Sequence, residues 1–378
     1  MLYVAILMDE MFDVIIIGAG VIGLAIARSL GESSQKSVLV IEKEESFGRG
    51  ISSRNSEVIH SGIYYEPDSL KAKYCLSGRE LLYDYCDKHN IWVNRCGKIV
   101  VGKNHQSDDL EALFNNAQKN NVPEVQIIEQ KEIHALEPQV DAEIALFVGC
   151  TGIVSAHELM ASLYKKSQDS DHDYLFKSRI VDAEKTNDGY ELAIENPQGE
   201  VEKVSTQWVI NAAGLESDIV AEMLPHDTPS LRYSKGCYYK LSSKWRGAFN
   251  HLVYPLPDAA HGSLGIHLSF DETQMPKLGP SAHWMNDRQE NYDVEELLLN
   301  QFHDEGRRYI RGLKKEDLSP DYAGIRPKIW MNENPMPDFY ISHEKDKGFP
   351  GWVNLIGIES PGLTSAIAIG EDVATWIK

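Results

Sequence analysis

Basic charge is what this chain most lacks. Its 378 residues carry 37 Lys and Arg against 57 Asp and Glu, a net charge of −20, and no run concentrates the cations. A balance of that sign repels phosphate backbones and argues against nucleic acid as a partner. Cysteine is scarce too. Cys75, Cys86, Cys96, Cys150 and Cys237 are odd in number, show no C-x-x-C spacing and have no histidines beside them in zinc order. Neither a disulfide framework nor a metal site is expected, and the thiols read as reduced, in a cytoplasmic protein. Long apolar runs are missing as well: the opening stretch Met1 to Met8 is too short for a span and has no basic residues before it, which supports neither export nor a membrane anchor. Residues 1–11 read as a ragged lead-in. No fixed-period repeat or low-complexity segment occurs. With 42% apolar and 25% charged residues, what remains is a globular chain of two or three domains.

The first strong positive signal is Asp13-Val14-Ile15-Ile16-Ile17, a β-branched run suited to a strand buried on both faces. It leads into Gly18-Ala19-Gly20-Val21-Ile22-Gly23, an apolar helix, and a second strand, Val38-Leu39-Val40-Ile41, closing on Glu42. In a βαβ unit of this kind Gly18 makes the tight turn, Gly20 lets a pyrophosphate approach the backbone, and Gly23 lets the helix pack closely. The helix N-terminus stabilises phosphate, and Glu42 accepts hydrogen bonds from an adenosine ribose. The motif alone does not separate NAD from FAD. Two later segments bear on that choice. Trp208-Val209-Ile210 runs into Asn211-Ala212-Ala213-Gly214, small residues of the type needed beside a flat cofactor. Ile358-Glu359-Ser360-Pro361-Gly362-Leu363-Thr364 leads into a last helix whose N–H groups suit an anionic reduced flavin.

Periodicity predicts a helix over Leu70 to His89 and a polar one over Ser107 to Asn120, strand pairs over 172–210, β structure over 232–270, and a final strand and helix from Gly351. Both ends read as parallel-sheet elements and the middle as antiparallel. The nucleotide domain is therefore expected to be discontinuous, built from 12–90, 153–228 and 322–378, with 91–152 and 229–321 forming a second, β-rich domain.

The opening unit, Asn211 to Gly214, Tyr322-Ala323-Gly324-Ile325-Arg326-Pro327 and the approach to the last helix resemble the FAD-dependent D-amino-acid oxidase superfamily. Ser53-Arg54-Asn55-Ser56-Glu57-Val58-Ile59-His60-Ser61-Gly62-Ile63-Tyr64-Tyr65, continuing to Lys73, resembles its L-2-hydroxyglutarate dehydrogenase/oxidase branch, which usually has Gly where this chain has Glu57. The resemblance implies an α/β fold: a Rossmann-like FAD-binding domain of glutathione-reductase type with an inserted β-rich substrate domain. It implies FAD held by Gly18, Gly20, Val21, Ile22, Gly23, Glu42, Lys43, Arg54, Asn55, Ser56, Val181, Ala213, Gly214, Gly324, Gly362, Leu363 and Thr364. The implied reaction is oxidation of a small 2-hydroxy acid, foremost L-2-hydroxyglutarate, to the 2-oxo acid, with oxygen or a membrane quinone as electron acceptor. A quinone would involve a peripheral membrane contact. Arg326 would clamp the substrate carboxylate through its guanidinium fork. His60 or His267 would take the hydroxyl proton, with His60 alternatively a point of covalent flavin attachment, and Tyr254 and Tyr65 would bind substrate. A dicarboxylic substrate needs a second cation, for which Lys98, Arg54, Lys235 and Lys240 are the candidates. The rival readings are an amine or amino-acid oxidase on the same fold and a flavin-binding protein without turnover.

Overall fold

The computed structural model describes residues 11–256 and 265–377; the lead-in up to residue 10 lies outside them, and the first strand begins at Met11. Strands Trp352–Ile356, Val201–Asn211, Met11–Ile17, Val38–Glu42 and Asp173–Phe176 lie side by side and parallel, with the hydrophobic runs of the sequence buried between two layers. Arg179–Lys185, Tyr190–Glu195 and Tyr340–His343 extend this sheet in antiparallel fashion. A second sheet, of ten strands among the described residues, centres on the pairing of Ser230–Leu241 with Leu318–Met331 and takes in Lys98–Gly102, Ile144–Val148, Leu252–Pro255 and Leu268–Phe270. A small third sheet joins Val58–Ile59, Gly152–Val154 and Val93–Asn94.

The helix expected over Leu70 to His89 forms over those residues, opened by Ser69, whose side chain accepts from the Ala72 N–H. It ends at Asn90 in the left-handed conformation. The polar helix spans Ser107–Lys119. The boundary expected between 321 and 322 falls inside Leu318–Met331, a strand that belongs along its whole length to the second sheet. No turn residue marks a boundary there, because one continuous strand pairs with Ser230–Leu241 on both sides of it.

Glu57 has φ +59°, the left-handed region that Gly occupies without strain. Its carboxylate offsets the cost by accepting the Ala156 N–H at 3.0 Å, at the start of helix Ala156–Gln168. Helix Gly362–Trp376 lies against Val21–Ser33 on one side and Leu70–His89 on the other. Both contacts run through glycine: a Cβ at Gly370 would stand 2.7 Å from the Ala25 backbone, and one at Gly78 would collide with Thr364 and Ser365. Gly370→Val should therefore destabilise the fold by about 1–3 kcal/mol, read as a lower urea midpoint at unchanged slope.

Candidate active site

A cleft of about 1450 Å³, open mouth included, runs along the carboxyl ends of the parallel strands. Gly18 has φ +105°, and a Cβ there would collide with the Ala212 carbonyl; a Cβ at Gly23 would collide with the Gly18 carbonyl. Glycine at both positions is thus needed for the turn and for the helix to sit on it. The cleft is lined by Gly18, Gly20, Val21, Ile22, Glu42, Lys43, Asn55, Ser56, Ala213, Gly214, Gly362 and Leu363, all expected at a cofactor, and by His60, expected as a base. Glu42 accepts the Ala19 N–H at 2.8 Å and the Glu44 N–H at 3.0 Å, and burial pushes its carboxyl up. Lys43 is braced between Glu216 and Glu290 at 3.0 and 2.9 Å.

Other expected cofactor residues stand elsewhere. Val181 is 40% exposed, and its strand neighbour Ile180 lines the cleft instead, since consecutive side chains on a strand alternate faces; Arg179 reaches the cleft from the strand's start. Arg54 stacks its guanidinium over Tyr292 at 3.9 Å, outside the lining. Gly324 permits the long strand to touch the Arg54 backbone, where a Cβ would collide. Buried Thr364 acts behind the cleft: its hydroxyl accepts the His60 N–H at 3.0 Å and donates to the Val58 carbonyl at 3.3 Å. Three contributors had no individual role expected of them, although Glu359 and Ser360 lie in the segment before the last helix that the sequence pointed to. Ser52 accepts the Val21 N–H at 2.9 Å, Ser360 meets His60 Nε2 at 2.9 Å, and Glu359, its side chain 11% exposed, is held by Lys71 and Lys328 at 3.1 and 2.7 Å.

Beyond His60 the second sheet supplies a wall of aromatic and charged groups. Tyr254 stacks face to face on His267, centroids 3.7 Å apart, and Tyr238 stacks on Tyr322 at 4.3 Å. Arg326 donates through Nη1 to the Ser281 carbonyl at 3.2 Å, and Gly236, one strand away, leaves the space its Nη2 occupies. Tyr65 faces Ser360 and Glu359. Burial pushes the phenols of Tyr65, Tyr238 and Tyr254 up, so all three are neutral hydrogen-bonding groups. His60 goes the other way: burial, then the Lys98 charge, lower it to about 3, leaving a neutral imidazole against Ser360. The arrangement can fix an anion at Arg326 and accept a proton at His60.

Residues 13–376 match the FAD dependent oxidoreductase family. This chain belongs to that family. It is 36% identical to a protein of Arabidopsis thaliana named L-2-hydroxyglutarate dehydrogenase, mitochondrial, over 97% of this chain and 83% of the relative. It is 32% identical to one of the same name from Pongo abelii, over 97% and 87%. Among solved structures it resembles a dithionite-reduced L-alpha-glycerophosphate oxidase from Mycoplasma pneumoniae with FAD bound, at a TM-score of 0.87 and 24% identity over 97% of this chain and 95% of that one. Like other members of its family this oxidoreductase uses FAD, and its cleft fits the cofactor. Chain neighbours apart, the one atom of the described residues within 4 Å of a Cβ at Gly20 is Ser52 Oγ at 3.1 Å, so the room there is open space rather than packing. No helix among the described residues is long and apolar enough to cross a membrane.

Gly20→Val should fold and purify colourless, because its side chain fills cofactor space while disturbing one serine. The check is the 450 nm band beside an unfolding midpoint close to the parent's.

Proposed function

We propose that this chain oxidises L-2-hydroxyglutarate to the 2-oxo acid. What supports the reading is the neutral His60–Ser360 pair lining the FAD cleft, with the Arg326 guanidinium on the second sheet as the anion-binding group, in a chain 36% identical along nearly all its length to a protein named for that reaction. Arg326 holds the carboxylate next to the reacting carbon by a bidentate fork, which also aims the C2 hydrogen. His60 accepts the hydroxyl proton at Nε2, the substrate hydroxyl taking the place that Ser360 Oγ holds there at 2.9 Å. Tyr65 and Tyr254 bind substrate oxygens. Bound FAD supplies the two-electron acceptor. His267 is stacked flat on Tyr254 and positions that ring. Oxygen or a membrane quinone reoxidises the enzyme, and peroxide release in air separates the two. The five free thiols support residence in the cytoplasm.

Under anaerobic conditions L-2-hydroxyglutarate should bleach the flavin band far faster than its D enantiomer, glycine or sarcosine. Faster bleaching by glycine or sarcosine would make the protein an amine oxidase, and no bleaching by any of them a binding protein. Arg326→Lys should raise KM and lower kcat together, because the fork is lost as well as some binding. His60→Ala should slow flavin reduction by about 10²-fold to 10⁴-fold, and His267→Ala by much less. With His60 neutral until the pH approaches about 3, the reduction rate should show no acid limb between roughly pH 5 and 7.

A further inference from the structure

Of the four cations expected at a distal carboxylate, three are committed elsewhere. Lys240 is exposed, Lys235 donates to Asn291 Oδ1 at 3.2 Å, and Arg54 covers Tyr292. Lys98 differs from all of them. It is 0% exposed, and among the described residues its Nζ has no hydrogen-bond partner and forms no ion pair. The ammonium stands 4.7 Å from the centroid of Tyr64 and 4.9 Å from that of Tyr254. Ring faces offset part of the cost of burying a cation, but they satisfy none of its three N–H donors. The Tyr64 hydroxyl is likewise buried without a partner. Two unsatisfied donors beside one another call for an acceptor that the protein does not provide.

We propose that Lys98 is an anion subsite of this active site and takes the carboxylate of the substrate remote from the reacting carbon, with the Tyr64 hydroxyl as a second donor. The inference rests on the dicarboxylic substrate argued above. Its location agrees: Tyr254, under the ammonium, carries His267 on its ring, and the Lys98 charge is felt at His60. The titratable groups facing Lys98 are His60, Cys75, Cys150, Tyr64 and Tyr254, none of them a carboxylate. Lys98 itself is lowered to about 8, first by burial, so its charge is lost as the pH rises through that value.

The test measures binding of glutarate and of butyrate to the FAD-loaded enzyme, read by perturbation of the flavin spectrum, in parent, Lys98→Met and Lys98→Arg. The parent should prefer glutarate by about 10²-fold or more, and Lys98→Met should reduce that preference to within about threefold. Lys98→Arg keeps a charge that does not titrate. Glutarate affinity should therefore fall above about pH 8 in the parent and stay level in this variant, a comparison that holds even if Lys98→Met fails to fold. A Lys98→Met enzyme that still prefers glutarate as the parent does, or parent affinity unchanged up to pH 10, overturns the assignment. If glutarate binding depends on Lys98 while L-2-hydroxyglutarate bleaches nothing, the reading of function falls and the subsite stands.

Discussion

The close approach of the Gly18 backbone to the Ala212 carbonyl is the constraint on which the site depends. Two parallel strands, Met11–Ile17 and Val201–Asn211, reach the same level and then part, one into a helix and the other into Ala213 and Gly214. Only a residue without a side chain turns there, and the crevice between the diverging ends is where open α/β sheets bind ligands. The ends are locked from below by Asn211, whose amide donates to the Ser217 carbonyl and to Asn354 Oδ1, while Asn354 in turn donates to Glu344. A buried network with its members paired makes such a junction rigid.

Local pattern carried much of the fold. The βαβ unit, the Leu70–His89 helix and the hairpin strands between 172 and 210 were legible, because each announces itself within one element through period, cap or turn residue. Relations between elements were less visible. Val181 was expected one residue from the side chain that reaches the cleft, since a strand's parity is set by its partners and not by its own residues. The roles of Ser360 and Glu359 depend on His60, Lys71 and Lys328, which no spacing rule ties to them. Lys98 sits in the apolar strand Lys98–Gly102, where its charge reads as an edge residue rather than a fully buried one.

Segment 285–293 shows the same limit. It has no regular structure, yet Arg288 forks onto buried Asp218, Glu290 reaches Lys43, and Tyr292 receives Arg54. These contacts bind the second sheet's margin to the nucleotide end of the cleft. Of these, the half-exposed Lys43–Glu290 pair is weak and sensitive to ionic strength, whereas the Arg288 fork compensates a fully buried carboxylate, and removing Arg288 would leave that charge unpaired.

The hydrogen bond from the His60 N–H to Thr364 Oγ1 joins residues 304 positions apart. Closing a loop of that length is entropically unfavourable and slow relative to local structure. The wall that carries His60 therefore assembles late in folding, after the βαβ unit and its helix. FAD finds a complete cleft only in a chain already near its native arrangement, so loading acts as a thermodynamic latch on the finished fold, and cofactor supply becomes a determinant of how much folded enzyme a cell retains.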